Sequence, residues 1–180
     1  MKSKIVSSFL FVALLVIFSQ LSASCADSLK IGSGNFKPSG PVVASTIGNG
    51  ISVNFAGRVG TRVGTSVFLF NATADKIVPG AEFDVVANNA QVGQVHVLFT
   101  DQTTNRSGTS KLIASDEEST ATGKIKILSG DSSKFTFSVS AQFKGILQRI
   151  SNPLKGNMNG KESRPSKVVR MSGKLTASKI

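Results

Sequence analysis

The chain has 180 residues, with 21 Lys and Arg against 10 Asp and Glu, one His, one Cys, twelve Phe and neither Trp nor Tyr. A lone cysteine excludes an internal disulfide and a closed cysteine-based metal site, and a lone histidine excludes a multi-histidine zinc site. The missing Trp and Tyr remove the amphipathic rings that favour sugar-stacking lectins and aromatic-rich interfaces.

In chain order, Lys2 and Lys4 precede an apolar run from Ile5 to Phe18, and the small residues Ser22, Ala23, Ser24 and Ala26 follow. This pattern predicts a secretory signal peptide over residues 1–26. The run of fourteen residues is shorter than the roughly 20 needed to span a bilayer. Cleavage after Ala26 removes Cys25, whereas cleavage after Ser24 makes Cys25 the first mature residue and a candidate for lipidation. The preceding Leu21-Ser22-Ala23-Ser24 only half resembles a lipobox, because Leu21 stands one place too early. The expected location is secreted, periplasmic or cell-surface, with lipoprotein anchoring through Cys25 as the rival.

Residues 27–180 suit one domain that buries roughly two-thirds of its extended-chain surface. Apolar residues alternate with polar ones, which predicts strands. Ile51, Val53, Phe55, Gly57 and Val59 form one set, and Ser66, Phe68 and Phe70 lie in a segment apolar on both faces. Residues 81–87 and then Val95, Val97 and Phe99 follow. Ile125 and Ile127 sit between Lys124, Lys126 and Ser129. Phe135, Phe137, Val139, Ala141 and Phe143 give the cleanest alternation, and Val169, Met171 and Gly173 the last.

Turn residues at Pro79-Gly80, Asn88–Gln91 and Ser129–Ser133 suit antiparallel connections. Polar loops are expected at 101–108 and 114–121, and a long one near 145–166. No stretch carries a sustained helical stripe, so the crossover helices of a parallel sheet are missing. The fold class is all-β: a single-domain antiparallel β-sandwich or jelly-roll-like fold, with a flattened barrel as the alternative.

Charge is uneven. Nine basic residues beyond position 143 face only Glu162, whereas residues 27–118 hold seven basic and eight acidic groups. Such a field attracts anionic polymers or surfaces. Alternation sets Lys144, Arg170 and Lys174 opposite the apolar residues of their strands. Lys124 and Lys126 join them if their strand lies on the same sheet. These five are the candidate anion-binding residues, and the expected partners are an anionic polysaccharide, lipid head groups or an acidic protein. Nucleic acid is disfavoured because no recognition motif or aromatic platform accompanies the charge.

Chemistry-bearing motifs are sparse. His96 with nearby Asp101 and abundant Ser leaves a triad open, but no Gly-x-Ser-x-Gly elbow supports one. Glu82 and Asp84 share a strand face and invite comparison with a glycosidase pair. Asp116-Glu117-Glu118 lacks the spacing of a calcium loop. Gly32-Ser33-Gly34 and Gly57-Arg58-Val59-Gly60 are no dinucleotide fingerprint, and no cofactor is expected. Asn71 and Asn105 fit the glycosylation acceptor pattern.

The sequence therefore predicts an exported, non-catalytic β protein with an adhesion, envelope or extracellular-matrix role, its basic end facing an anionic partner. Edge strands, or an unpaired segment from Leu29 to Phe36, would allow self-association. A carrier with a Phe-lined cavity for a lipid or other apolar guest, and a secreted hydrolase with a carboxylate site, are the alternatives.

Overall fold

A computed structural model describes residues 27–105, 108–114, 120–151 and 161–180. The predicted leader, Cys25 and Asp116–Glu118 lie outside the described residues.

The fold is all-β. Its strands are β1 (Ser28–Ile31), β2 (Gly34–Pro38), β3 (Val43–Ile47), β4 (Gly50–Val59), β5 (Arg62–Phe70), β6 (Glu82–Val86), β7 (Gln94–Asn105), β8 (Gly108–Ala114), β9 (Thr120–Gly130), β10 (Lys134–Lys144), β11 (Ile146–Ser151), β12 (Lys161–Pro165) and β13 (Val169–Lys179). Pairing runs β4–β5–β7–β6–β9–β10–β13–β3 and returns to β4, a flattened ring. Two ring contacts are parallel, β6 with β7 and β3 with β13; the others are antiparallel. The β1–β2 hairpin makes a second bridge from β13 to β4. Strands β8, β11 and β12 extend from the far half of β7 as an arm.

Local chemistry explains the tight connections. The β1–β2, β3–β4 and β4–β5 hairpins each turn on two residues, and each opens with a glycine: Gly32, Gly48 and Gly60, at φ 57–58°. A side chain at such an angle is strained, which is why two-residue hairpins place Gly there. The glycine clusters around residues 32 and 60 are thus hairpin turns. Between β9 and β10, Asp131 Oδ1 accepts hydrogen bonds from Ser133 N and Oγ, both 2.7 Å, and from Lys134 N at 2.9 Å. This Asx-type closure holds the turn.

The nine phenylalanines beyond residue 26 are all buried inside the ring. Phe68, Phe70, Phe83, Phe135 and Phe137 meet mostly edge-to-face at centroid separations of 5.3–6.2 Å, and Phe99 meets Phe143 at 5.0 Å. Each such pair adds about 0.5–1.5 kcal/mol beyond area burial. At the other end, Phe36 crosses a slot made by glycines. A Cβ on Gly34 or Gly64 would stand 2.6 Å or 2.9 Å from its ring.

Several expectations are corrected. The 145–166 region is not one loop: residues 146–151 and 161–165 are strands β11 and β12, while 152–160 lie outside the described residues. Most of the expected 101–108 loop is strand, because β7 runs to Asn105 and β8 starts at Gly108. Leu29–Phe36 is not unpaired; it forms the β1–β2 hairpin. Asn88–Gln91 does not join antiparallel neighbours, since β6 and β7 are parallel and the chain doubles back through Asn89, at φ 48°, and Gly93. In each case backbone ladder bonds between strands decide the outcome, and these require no apolar side chain.

Candidate functional site: a cationic hydroxyl-rich face

Side chains on paired strands share a face when their residues stand opposite each other. Across β9, β10, β13 and β1 the inward positions carry the core, so the outward positions form four rows. The first is Lys126, Ser138, Lys174 and Ser28; the second is Lys124, Ser140, Ser172 and Lys30. The third is Thr122, Gln142 and Arg170, and the fourth Thr120 and Lys144. Four strands at the usual spacing make this face about 14 Å wide.

All five sequence-predicted cations, Lys124, Lys126, Lys144, Arg170 and Lys174, therefore occupy one face. Lys174 is half-buried and the others are exposed. Lys30 joins them, a residue the sequence reading missed because four-residue β1 is too short to show a period.

The face is not uniformly free. Glu82 on β6 lies opposite Lys126 and reaches both lysines of β9, Oε2 to Lys124 Nζ at 3.2 Å and Oε1 to Lys126 Nζ at 3.3 Å. Hydrogen bonds from Lys124 and then Lys126 hold the Glu82 carboxyl below its ordinary pKa. Lys30, Lys144, Arg170 and Lys174 have no acidic partner among the described residues. The hydroxyls between the cations supply donors and acceptors together. At one margin Asp27 accepts from Thr176 N at 3.0 Å and Thr176 Oγ1 at 3.1 Å, which fastens the start of the body to β13.

The other candidates separate. His96 and Asp101 sit on opposite faces of β7, five positions apart. Asp101 points inward and is buried, where it accepts from Arg62 Nε at 3.2 Å and pairs with Nη2 of the same guanidinium. Arg62 also donates to Ser33 Oγ at 3.0 Å and lies 5.6 Å from the centre of the Phe36 ring. The two are not placed to act together as the triad that composition left open, and Asp101 instead closes the Phe36 end of the ring.

His96 is half-buried beside a groove of about 400 Å³ lined in part by Ile47, Leu69, Asn71 and Ala90. Burial pushes its pKa down, opposed by a hydrogen bond with the Ala87 backbone, and its Nε2 is enclosed without a partner. Asn71 spends its side-chain amide on Ala90 O at 2.7 Å. Asp84 is exposed on the same side as Glu82. Among the described residues no group of three or more His, Cys, Asp or Glu is placed to hold a metal, and no helix is long and apolar enough to cross a membrane.

Fold and face together define a class: an all-β strand ring that presents a cationic, hydroxyl-rich sheet surface. Comparison with protein families, with curated proteins and with solved structures finds no match for the chain.

Proposed function

We propose that the protein is an exported, non-catalytic adhesion, envelope or matrix component that docks on an anionic polysaccharide through the outer face of β9, β10, β13 and β1. The observation that carries this is the register that gathers Lys30, Lys124, Lys126, Lys144, Arg170 and Lys174 among serines and threonines. Sulfate or carboxylate groups meet the cations, and sugar hydroxyls exchange hydrogen bonds with Ser138, Ser140, Ser172 and Thr122. A bilayer surface is the weaker match, because interfacial binding gains from apolar side chains that enter the acyl boundary, and these rows carry none. Single-stranded nucleic acid favours aromatic platforms, which the rows also lack.

The hydrolase alternative is weakened by Glu82. A glycosidase needs one carboxyl with a raised pKa, and two lysines hold Glu82 ionised. The interior-carrier alternative is weakened by the Phe rings, which pack on one another in the described core.

Charge reversal tests the proposal. The K144E/R170E/K174E variant is expected to elute from an immobilised sulfated polysaccharide at much lower salt than the parent protein. A K76E/K111E/R149E control carries the same net-charge change on elements outside these rows, the segment before β6 and the arm strands β8 and β11, and is expected to shift little. Equal shifts in both variants would overturn the assignment.

A further inference from the structure

The arm formed by β8, β11 and β12 makes a second site. Leu112 pairs with Leu147 and Leu147 with Arg164, so these three side chains form one row across the arm. The turn from β12 into β13 brings Pro165, Ser166, Lys167 and Val169 beside that row, enclosing a groove of about 400 Å³. This lies in the range of small-molecule sites, about 300–1,000 Å³. Its wall is pinned by main-chain contacts. Ser166 N donates to Gly145 O at 2.7 Å, and Gly145 N donates to Ser166 Oγ at 2.9 Å. A Cβ on Gly145 would stand 2.1 Å from Ile113 O, so the approach of β10 to the arm depends on glycine.

The groove has two chemical parts. Leu112, Leu147, Pro165 and Val169 offer carbon surface, and Leu112 and Val169 continue into the core. Arg164 and Lys167 stand exposed along the same groove, with no acidic partner among the described residues. An apolar trough lined by two cations is complementary to an alkyl chain with a negative head group.

We propose that this groove binds a single-chain anionic amphiphile, a monomeric fatty carboxylate, with its chain on Leu112, Leu147 and Val169 and its carboxylate between Arg164 and Lys167. The site differs from the cationic sheet face and does not depend on it. Ligand selection follows from the two parts. Each methylene added while room remains tightens binding about fourfold, and exchange of carboxylate for ammonium turns attraction into repulsion.

The test uses the full chain and displacement of a dansyl-labelled undecanoate. Dodecanoate is expected to displace the probe at least tenfold more tightly than dodecylamine. The R164E/K167E variant, which changes only exposed side chains, is expected to lose that preference while retaining displacement by dodecanol. Leu147→Glu is expected to lose both; should it fail to fold by circular dichroism, the charge variant decides alone. K144E/R170E/K174E is expected to bind dodecanoate normally, so failure here and failure of the polysaccharide site are distinguishable. No probe binding, equal displacement by carboxylate and amine, or binding seen only with anionic phospholipid vesicles would overturn the proposal.

Discussion

The Arg62–Asp101 pair gives the sharpest prediction about what holds the ring shut. Asp101 is 8% exposed and Arg62 27% exposed, so the carboxylate is taken from water while the guanidinium keeps partial access to it. Breaking a fully buried pair by removing one partner costs about 3–5 kcal/mol. Partial solvation lowers this, and Arg62→Ala is expected to cost about 2 kcal/mol. That loss includes the cation over Phe36 and the bond to Ser33. Asp101→Asn retains an acceptor and leaves a guanidinium that water can reach, for about 1 kcal/mol. In a domain of this size 2 kcal/mol lowers Tm by about 4–8 °C. Replacing both residues, as R62M/D101L, is expected to recover most of the loss, since an apolar pair can substitute for a buried ionic one. Urea unfolding of the three variants measures these values. A change below about 0.5 kcal/mol for Arg62→Ala would refute the reasoning, as would a double variant less stable than either single one.

The remaining predictions concern other parts of the molecule. Phe36→Ala should destabilise by about 3–5 kcal/mol; Gly64→Val should also destabilise, because its Cβ alone would press on the Phe36 ring at 2.9 Å, and urea midpoints report both. Glu82→Gln releases Lys124 and Lys126 and should raise the salt needed for elution from the anionic polysaccharide. Because the folded pKa of Glu82 is depressed, its favourable contribution is full above the ordinary carboxylate range and is lost as pH falls through the lowered value; retention of the parent protein should rise in that same interval. The His96 imidazole should titrate below its ordinary 6.5, visible as the single histidine signal in proton NMR. Burial opposes its charged form, so stability is full above that value and declines as pH falls toward the folded pKa; His96→Leu should remove this decline.

What the sequence revealed depended on strand length and on who pairs with whom. β4 and β10 each run ten or more residues with a buried face, so alternation marked them. Parity within β10 and β13 then placed Lys144, Arg170 and Lys174 on the outer side. Lys124 and Lys126 needed one further fact, that β9 pairs with β10, which no local pattern contains. β3, β11 and β12 escaped notice because they are short or polar, and backbone ladders to β4, β8 and β11 hold them in place. The Arg62–Asp101 contact was equally hidden: the residues lie 39 positions apart and meet only through the β5–β7 register. The fatty-carboxylate groove was illegible for the same reason, since Leu112, Leu147, Arg164 and Val169 come together through three separate pairings.

Acylation footprinting addresses the polysaccharide face most directly. The protein is treated with a lysine-acetylating reagent with and without a saturating sulfated polysaccharide, and each lysine is followed by mass spectrometry. Lys30, Lys124, Lys126, Lys144 and Lys174 are expected to be protected together, while Lys76 and Lys111 react as in the free protein. Protection centred on Lys76 or Lys111, or spread evenly over all lysines, would contradict docking through this face.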